Sequence, residues 1–211
     1  MDYKNLYYRT LSSLFLIVLL LSSIYFLSKY LFIIITVLYV IIFYEVFKIF
    51  KINSFKLLFL FFYILVSYIA IQSYLIYFYN PIIFLYFVLI VVLFDSISYF
   101  AGSLFGKTKI FINLSPSKTY EGLFFGILIT LIISYFINYT FFIFNNYYYI
   151  VFNLLVISTA FIGDILESYF KRKVNLKDSS NFLPGHGGFF DRFDGFILSV
   201  IPLFLFSYYL L

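Results

Sequence analysis

The run "IIFLYFVLIVVLFDSISYFA", residues 82–101, is apolar for about 20 positions and broken by one carboxylate, Asp95. A helix of that length reaches about 30 Å, the thickness of a bilayer's hydrocarbon core. Working outward, runs of the same kind lie at 11–27, 31–47, 57–79, 121–138, 147–169 and 190–210. Apolar residues make up 64% of the 211 and charged ones 11%, too little polar surface to cover a water-soluble core. The expected fold class is therefore all-α: a polytopic integral membrane protein of about seven transmembrane helices, forming one transmembrane domain over 1–211. Within it, helices in 1–80 precede the helices and loops of 81–211, where the polar residues gather. The first run follows Lys4 and Arg9 but lacks a small-residue cleavage site, so it is read as a retained helix.

Two connections stand out, 102–120 and 170–189, both rich in Gly, Pro, Ser and Lys and too polar to lie unaccompanied in hydrocarbon. Elsewhere the links are short, and Pro81 after Asn80 marks a tight turn. With seven spans and a cytoplasmic N-terminus, every one of the 14 basic residues except Lys29 falls on the cytoplasmic side. The net charge of +5 is thus a topology signal and is not read as nucleic-acid binding. With no Cys, disulfides and thiolate metal sites are excluded.

Acids are few, and within spans they are costly enough to mark a site, which singles out Glu45, Asp95, Asp164 and Glu167. In "FIGDILESYFKR" Asp164, Glu167, Ser168 and Lys171 share one helix face at i, i+3, i+4 and i+7. An ion pair between Glu167 and Lys171 is one expectation for that face. In "KDSSNFLPGHGGFFDRFD", 177–194, a Lys, three Asp, an Arg, three Gly and the only His crowd eighteen positions of a greasy chain. Asp191 and Asp194 open the last helix at i and i+3; one carboxylate would suffice to cap it. Two of them, with Asp164 approaching from the neighbouring span, make an oxygen-rich cluster of the kind Mg²⁺ prefers. The glycines beside His186 offer backbone N–H groups to an anion. His186 itself suits a structural or substrate-bonding role better than metal ligation.

"DSISYFAGSLFGK" and "SPSKTYEG" repeat the theme, with Ser115, Lys118, Thr119 and Glu121 gathered before a helix start. "GSLFGKT" is one residue short of a Walker loop and follows no strand.

The order Ser, Lys-Arg, Lys-Asp, Leu-Pro-Gly-His-Gly-Gly, Asp-Arg-x-Asp over 168–194 resembles the signature of the phosphatidate cytidylyltransferases. The segments "DSISYFAGSLFGKTK" and "SPSKTYEG" resemble two more segments of that family, with Ser117 standing where a Lys is common. The resemblance implies transfer of CMP from CTP to phosphatidate, giving CDP-diacylglycerol and pyrophosphate, with Mg²⁺ as divalent cation. It implies metal binding by Asp164, Asp191 and Asp194, and phosphate handling by Lys171, Arg172 and Arg192 with Lys177. Ser115, Lys118, Thr119, Glu121, Ser168, Asp178 and His186 become candidates for shaping the substrate site. A bacterial inner membrane with the site facing the cytoplasm is implied, and a homodimer is compatible. A transporter would also bury acids and break helices, but would not need two basic polar loops on one side. A CTP-dependent polyprenol or phytol kinase is a nearer rival. A CDP-alcohol phosphotransferase would show Asp-Gly-x-x-Ala-Arg, which this sequence lacks.

Overall fold

The structure is a computed structural model and describes residues 30–49, 55–176, 178–180 and 187–210. The expected span at 11–27 and the candidates Lys177 and His186 lie outside the described residues. Six helices are described: α1 (Leu31–Ile49), α2 (Phe55–Tyr77), α3 (Pro81–Phe105), α4 (Tyr120–Phe141), α5 (Asn146–Lys173) and α6 (Phe190–Leu210). Between α3 and α4 lie two short strands, β1 (Lys109–Phe111) and β2 (Ser115–Thr119). Five helices, α1 to α5, are long and apolar enough to cross a membrane, so the chain is an all-α polytopic membrane protein.

Helix starts follow local chemistry. At α3, Asn80 accepts from the amides of Ile82 (2.9 Å) and Ile83 (3.3 Å), and Pro81 takes the position where no N–H is needed. Thr119 does the same for α4, its hydroxyl accepting from Gly122 N at 3.1 Å. Each such cap contributes about 1 kcal/mol. At the other end of α4, Asn138 closes the turn into α5, accepting from Phe144 N at 2.9 Å and donating to Phe144 O at 3.0 Å, while Phe142 takes a left-handed φ of 49°.

Successive helices alternate in direction and pack as α1 on α2, α3 on α4, and α6 between α5 and α2. The core is apolar, with Ile90, Phe94, Phe152, Ala160, Ile197 and Leu203 buried at the helix contacts. Phe62, Phe124, Ile132 and Phe136 point outward, as side chains facing lipid do. Helix association in lipid depends on close packing and shared hydrogen bonds, since burial of apolar surface drives little there. Both devices are present. A methyl built on Gly122 would lie 2.7 Å from the Ser98 carbonyl, so α3 and α4 touch at backbone distance. Asn153 of α5 donates to Tyr86 of α3 (3.0 Å) and Ser134 of α4 (3.2 Å), tying three helices inside the apolar region.

The connection expected as a loop over 102–120 is instead helix to Phe105 and then an antiparallel hairpin, pairing Lys109 with Thr119 and Phe111 with Ser115 around an irregularity. "SPSKT" has little intrinsic strand preference. Its strand forms because the chain must return from the end of α3 to the start of α4, and Thr119 serves both as last strand residue and as cap. Likewise α5 continues through Lys173, taking Lys171 and Arg172 out of the expected 170–189 connection.

Candidate active site

The C-terminal ends of α1, α3 and α5 and the N-terminal ends of α4 and α6 meet at one end of the bundle, bridged by polar contacts. There α5 presents Asp164 and Glu167, and α6 presents Asp194. One carboxylate oxygen from each lies within 4.8 Å of the others. Gly163 makes this possible. A methyl built on it would sit 2.5 Å from the carbonyl oxygen of Asp194, so any larger residue forces α5 and α6 apart beside the carboxylates. Asp95 of α3 approaches from the third side, its Oδ2 facing Gly195.

Two ammonium groups stand among these acids. Lys118, on β2, reaches Asp164 Oδ2 at 2.5 Å and lies 4.7 Å from the centre of the Phe161 ring. The hairpin thus exists to some purpose: it carries a cation from the α3–α4 connection onto α5. Lys171 bridges Glu167 Oε1 (2.6 Å) and Asp191 Oδ1 (3.0 Å), so the ion pair anticipated along α5 is present and extends to α6. Ser168 Oγ lies 3.5 Å from Asp164 Oδ1, on the helix face that the i, i+4 spacing gave it.

Asp191 lies beside this group, sharing Lys171 with Glu167. Its Oδ2 accepts from Ser179 N and Gly188 N, each at 2.8 Å, and its other oxygen takes Lys171. Among the described residues it fastens the two ends of the connection before α6, while Glu167 is the acid that joins Asp164 and Asp194. Asp191, in the first helical turn, meets both the incoming chain and Lys171 of α5, whereas Asp194, three residues deeper, meets Asp164 and Glu167. Glu167 carried the signal of a buried acid at helical spacing, but sequence alone could not rank it above Asp191 as a partner of Asp164.

Arg172 donates Nε to the Leu114 carbonyl (3.2 Å) and Nη1 to the Leu176 carbonyl (2.9 Å), pinning the hairpin turn to the end of α5. Glu121 accepts from Thr108 through both its N–H and its hydroxyl, the latter at 2.8 Å, closing the other side of the hairpin. Ser115 begins β2, Thr119 is buried at the cap, and Asp178 and Arg192 are exposed at the same end of the bundle.

The donor set is chemically suited to a hard divalent cation. Three carboxylate oxygens converge, and opposite ligands of an octahedral Mg²⁺ stand about 4.2 Å apart, within reach of their spacing. Carboxylates outnumber ammonium groups in the cluster, which favours a further cation. Lys118 and Lys171 in the cluster, and Arg172 and Arg192 at the same end of the bundle, are groups of the kind that pair with phosphate oxygens.

An apolar helix bundle of this length and composition, with carboxylates and cations convergent at one end, defines an integral membrane protein whose polar end gathers its charged side chains. The Cytidylyltransferase family model matches residues 56–210, and the chain belongs to that family. Among its relatives is a phosphatidate cytidylyltransferase of Staphylococcus aureus (strain COL), 42% identical over 125 residues, which are 56% of this chain and 46% of the relative. That of Rickettsia bellii is 40% identical over 132 residues, 59% of this chain and 57% of the relative. That of Haemophilus influenzae is 35% identical over 124 residues, 54% of this chain and 41% of the relative. The chain spans about half the length of the curated relatives it matches.

Proposed function

We propose that this chain is a phosphatidate cytidylyltransferase: it joins CTP and phosphatidate to give CDP-diacylglycerol and pyrophosphate at the cytoplasmic face of a bacterial inner membrane. The observation that carries this reading is the convergence of Asp164, Glu167 and Asp194 beside Lys118 and Lys171, in a member of the Cytidylyltransferase family. Asp164 and Asp194, with Glu167, would hold Mg²⁺; when bound, the ion neutralises phosphate oxygens and polarises the phosphorus that is attacked.

The chain's own residues do the rest. Lys171 and Lys118 fix the carboxylate orientations, and Arg192 with Arg172 lies where a triphosphate would arrive from the aqueous side. A phosphate oxygen of phosphatidate attacks the α-phosphorus of CTP. The P–O bond to the β-phosphate breaks, and pyrophosphate leaves with that bridging oxygen and its electron pair. Phosphatidate is already an anionic nucleophile, so no general base is required. Catalysis of such a transfer is chiefly positioning and charge neutralisation.

Purified protein supplied with α-labelled CTP, Mg²⁺ and phosphatidate is expected to release pyrophosphate and form a labelled CDP-lipid in equal amounts. Transfer of the γ-phosphate to a lipid alcohol, leaving CDP, would instead make it a lipid kinase.

A further inference from the structure

We propose that Glu45, on α1, is a positioning residue of this site: its carboxylate holds the first turn of α6 and thereby sets Asp194 against α5. The inference rests on the function proposed above and names a residue outside the matched family region, which begins at residue 56.

Glu45 is 2% exposed, in a helix otherwise made for the membrane. Its Oε1 accepts from the Ser180 hydroxyl at 2.7 Å and from Phe189 N at 3.0 Å; its Oε2 accepts from Phe190 N at 2.8 Å. The N–H groups at a helix start lack partners within the helix and carry the positive end of its dipole. Here three consecutive ones are taken by two carboxylates, Gly188 by Asp191, and Phe189 and Phe190 by Glu45. A methyl on Gly188 would lie 2.7 Å and 2.8 Å from the two Glu45 oxygens, so the backbone itself rests on the carboxylate.

A simple cap would come from the same stretch of chain, as Asp191 shows. Glu45 instead reaches across from a helix that otherwise packs mainly on α2, and a buried carboxylate there is costly unless fully bonded. Phe190 and Asp194 are one helical turn apart, so movement of the first turn carries Asp194 with it. Asp194 must meet two α5 acids within 4.8 Å, and a loss of that register is felt in the transition state more than in ground-state CTP binding.

The test compares wild type with Glu45→Gln, which has the same shape but turns a donor toward an N–H, and with Glu45→Asp, which keeps the charge. Ser180→Ala, removing one of the three donors to Glu45 among the described residues, is the milder arm if Glu45→Gln folds poorly. Hydrogen exchange without substrate is expected to accelerate about tenfold or more at the amides of Phe189 and Phe190 in Glu45→Gln, and about threefold in Ser180→Ala. In the CDP-lipid assay, kcat per folded molecule should fall about tenfold in Glu45→Gln with KM for CTP within about threefold, and Glu45→Asp should recover part of it. Unchanged exchange at these amides overturns the proposal whatever the chemistry. So does a Glu45→Gln protein of lower Tm but wild-type kcat. If wild type forms no CDP-lipid, the function reading alone fails, and the exchange arm still decides whether Glu45 holds α6.

Discussion

Gly163→Ala adds a single methyl group at the closest approach of α5 and α6. That methyl would sit 2.5 Å from the Asp194 carbonyl oxygen and 3.4 Å from its carbonyl carbon, and the obstacle is backbone, which cannot rotate away. Ordinary contact begins near 3.4 Å, so the helices must separate by about 0.9 Å at the residue that carries the Asp194 carboxylate. Overpacking of this kind costs about 1–3 kcal/mol of stability. The effect on turnover should be larger in proportion, because a displacement of about 1 Å in a catalytic group costs about a hundredfold in rate, or about 2.7 kcal/mol of transition-state stabilisation. Gly195→Ala is the matched control, since its methyl would meet nothing nearer than Asp95 Oδ2 at 3.5 Å. Both proteins would be purified in the same detergent, checked for Tm, and assayed for CDP-lipid formation over a range of CTP and Mg²⁺. The expected pattern is a large fall in kcat for Gly163→Ala and a change of less than about threefold for Gly195→Ala. Equal activity of wild type and Gly163→Ala would refute the idea that the α5–α6 spacing sets the carboxylate cluster.

Asp164→Asn or Asp194→Asn should lower turnover by about a hundredfold or more and raise the Mg²⁺ concentration needed for half-maximal rate, measured in the same assay. Asp191→Asn should also impair the enzyme, but by loosening the chain at Ser179 and Gly188; increased proteolysis between residues 177 and 190, with the Mg²⁺ requirement unchanged, distinguishes it. Arg172→Gln removes two bonds to carbonyls on the exposed side and should cost about 1 kcal/mol, read as easier cleavage of the 109–119 hairpin with Tm nearly intact. The absence of native Cys permits a topology test: Lys107→Cys, at an exposed position between α3 and β1, should resist an impermeant thiol reagent on intact cells and react in inside-out vesicles. Ser179, in the other polar connection, is buried and would be a poor reporter.

The sequence by itself determined the membrane class and the places of the helices. Hydrocarbon demands about 20 apolar residues per span and internal hydrogen bonding of the backbone, so the runs at 31–47, 57–79, 82–101, 121–138 and 147–169 became helices near those bounds, and the run at 190–210 is a helix as well. The face shared by Asp164, Glu167, Ser168 and Lys171 was equally legible, because helical periodicity is local. What tertiary structure decided is which acid meets which. Glu45 and Phe190 are 145 positions apart, Lys118 and Asp164 belong to different elements, β2 and α5, and no periodicity links them. Asp191 and Asp194 look alike as a spacing, yet one takes Lys171 and the amides of the incoming chain while the other meets Asp164 and Glu167. The helix fixes the angle between them, and only its docking beside Gly163 fixes what each one sees.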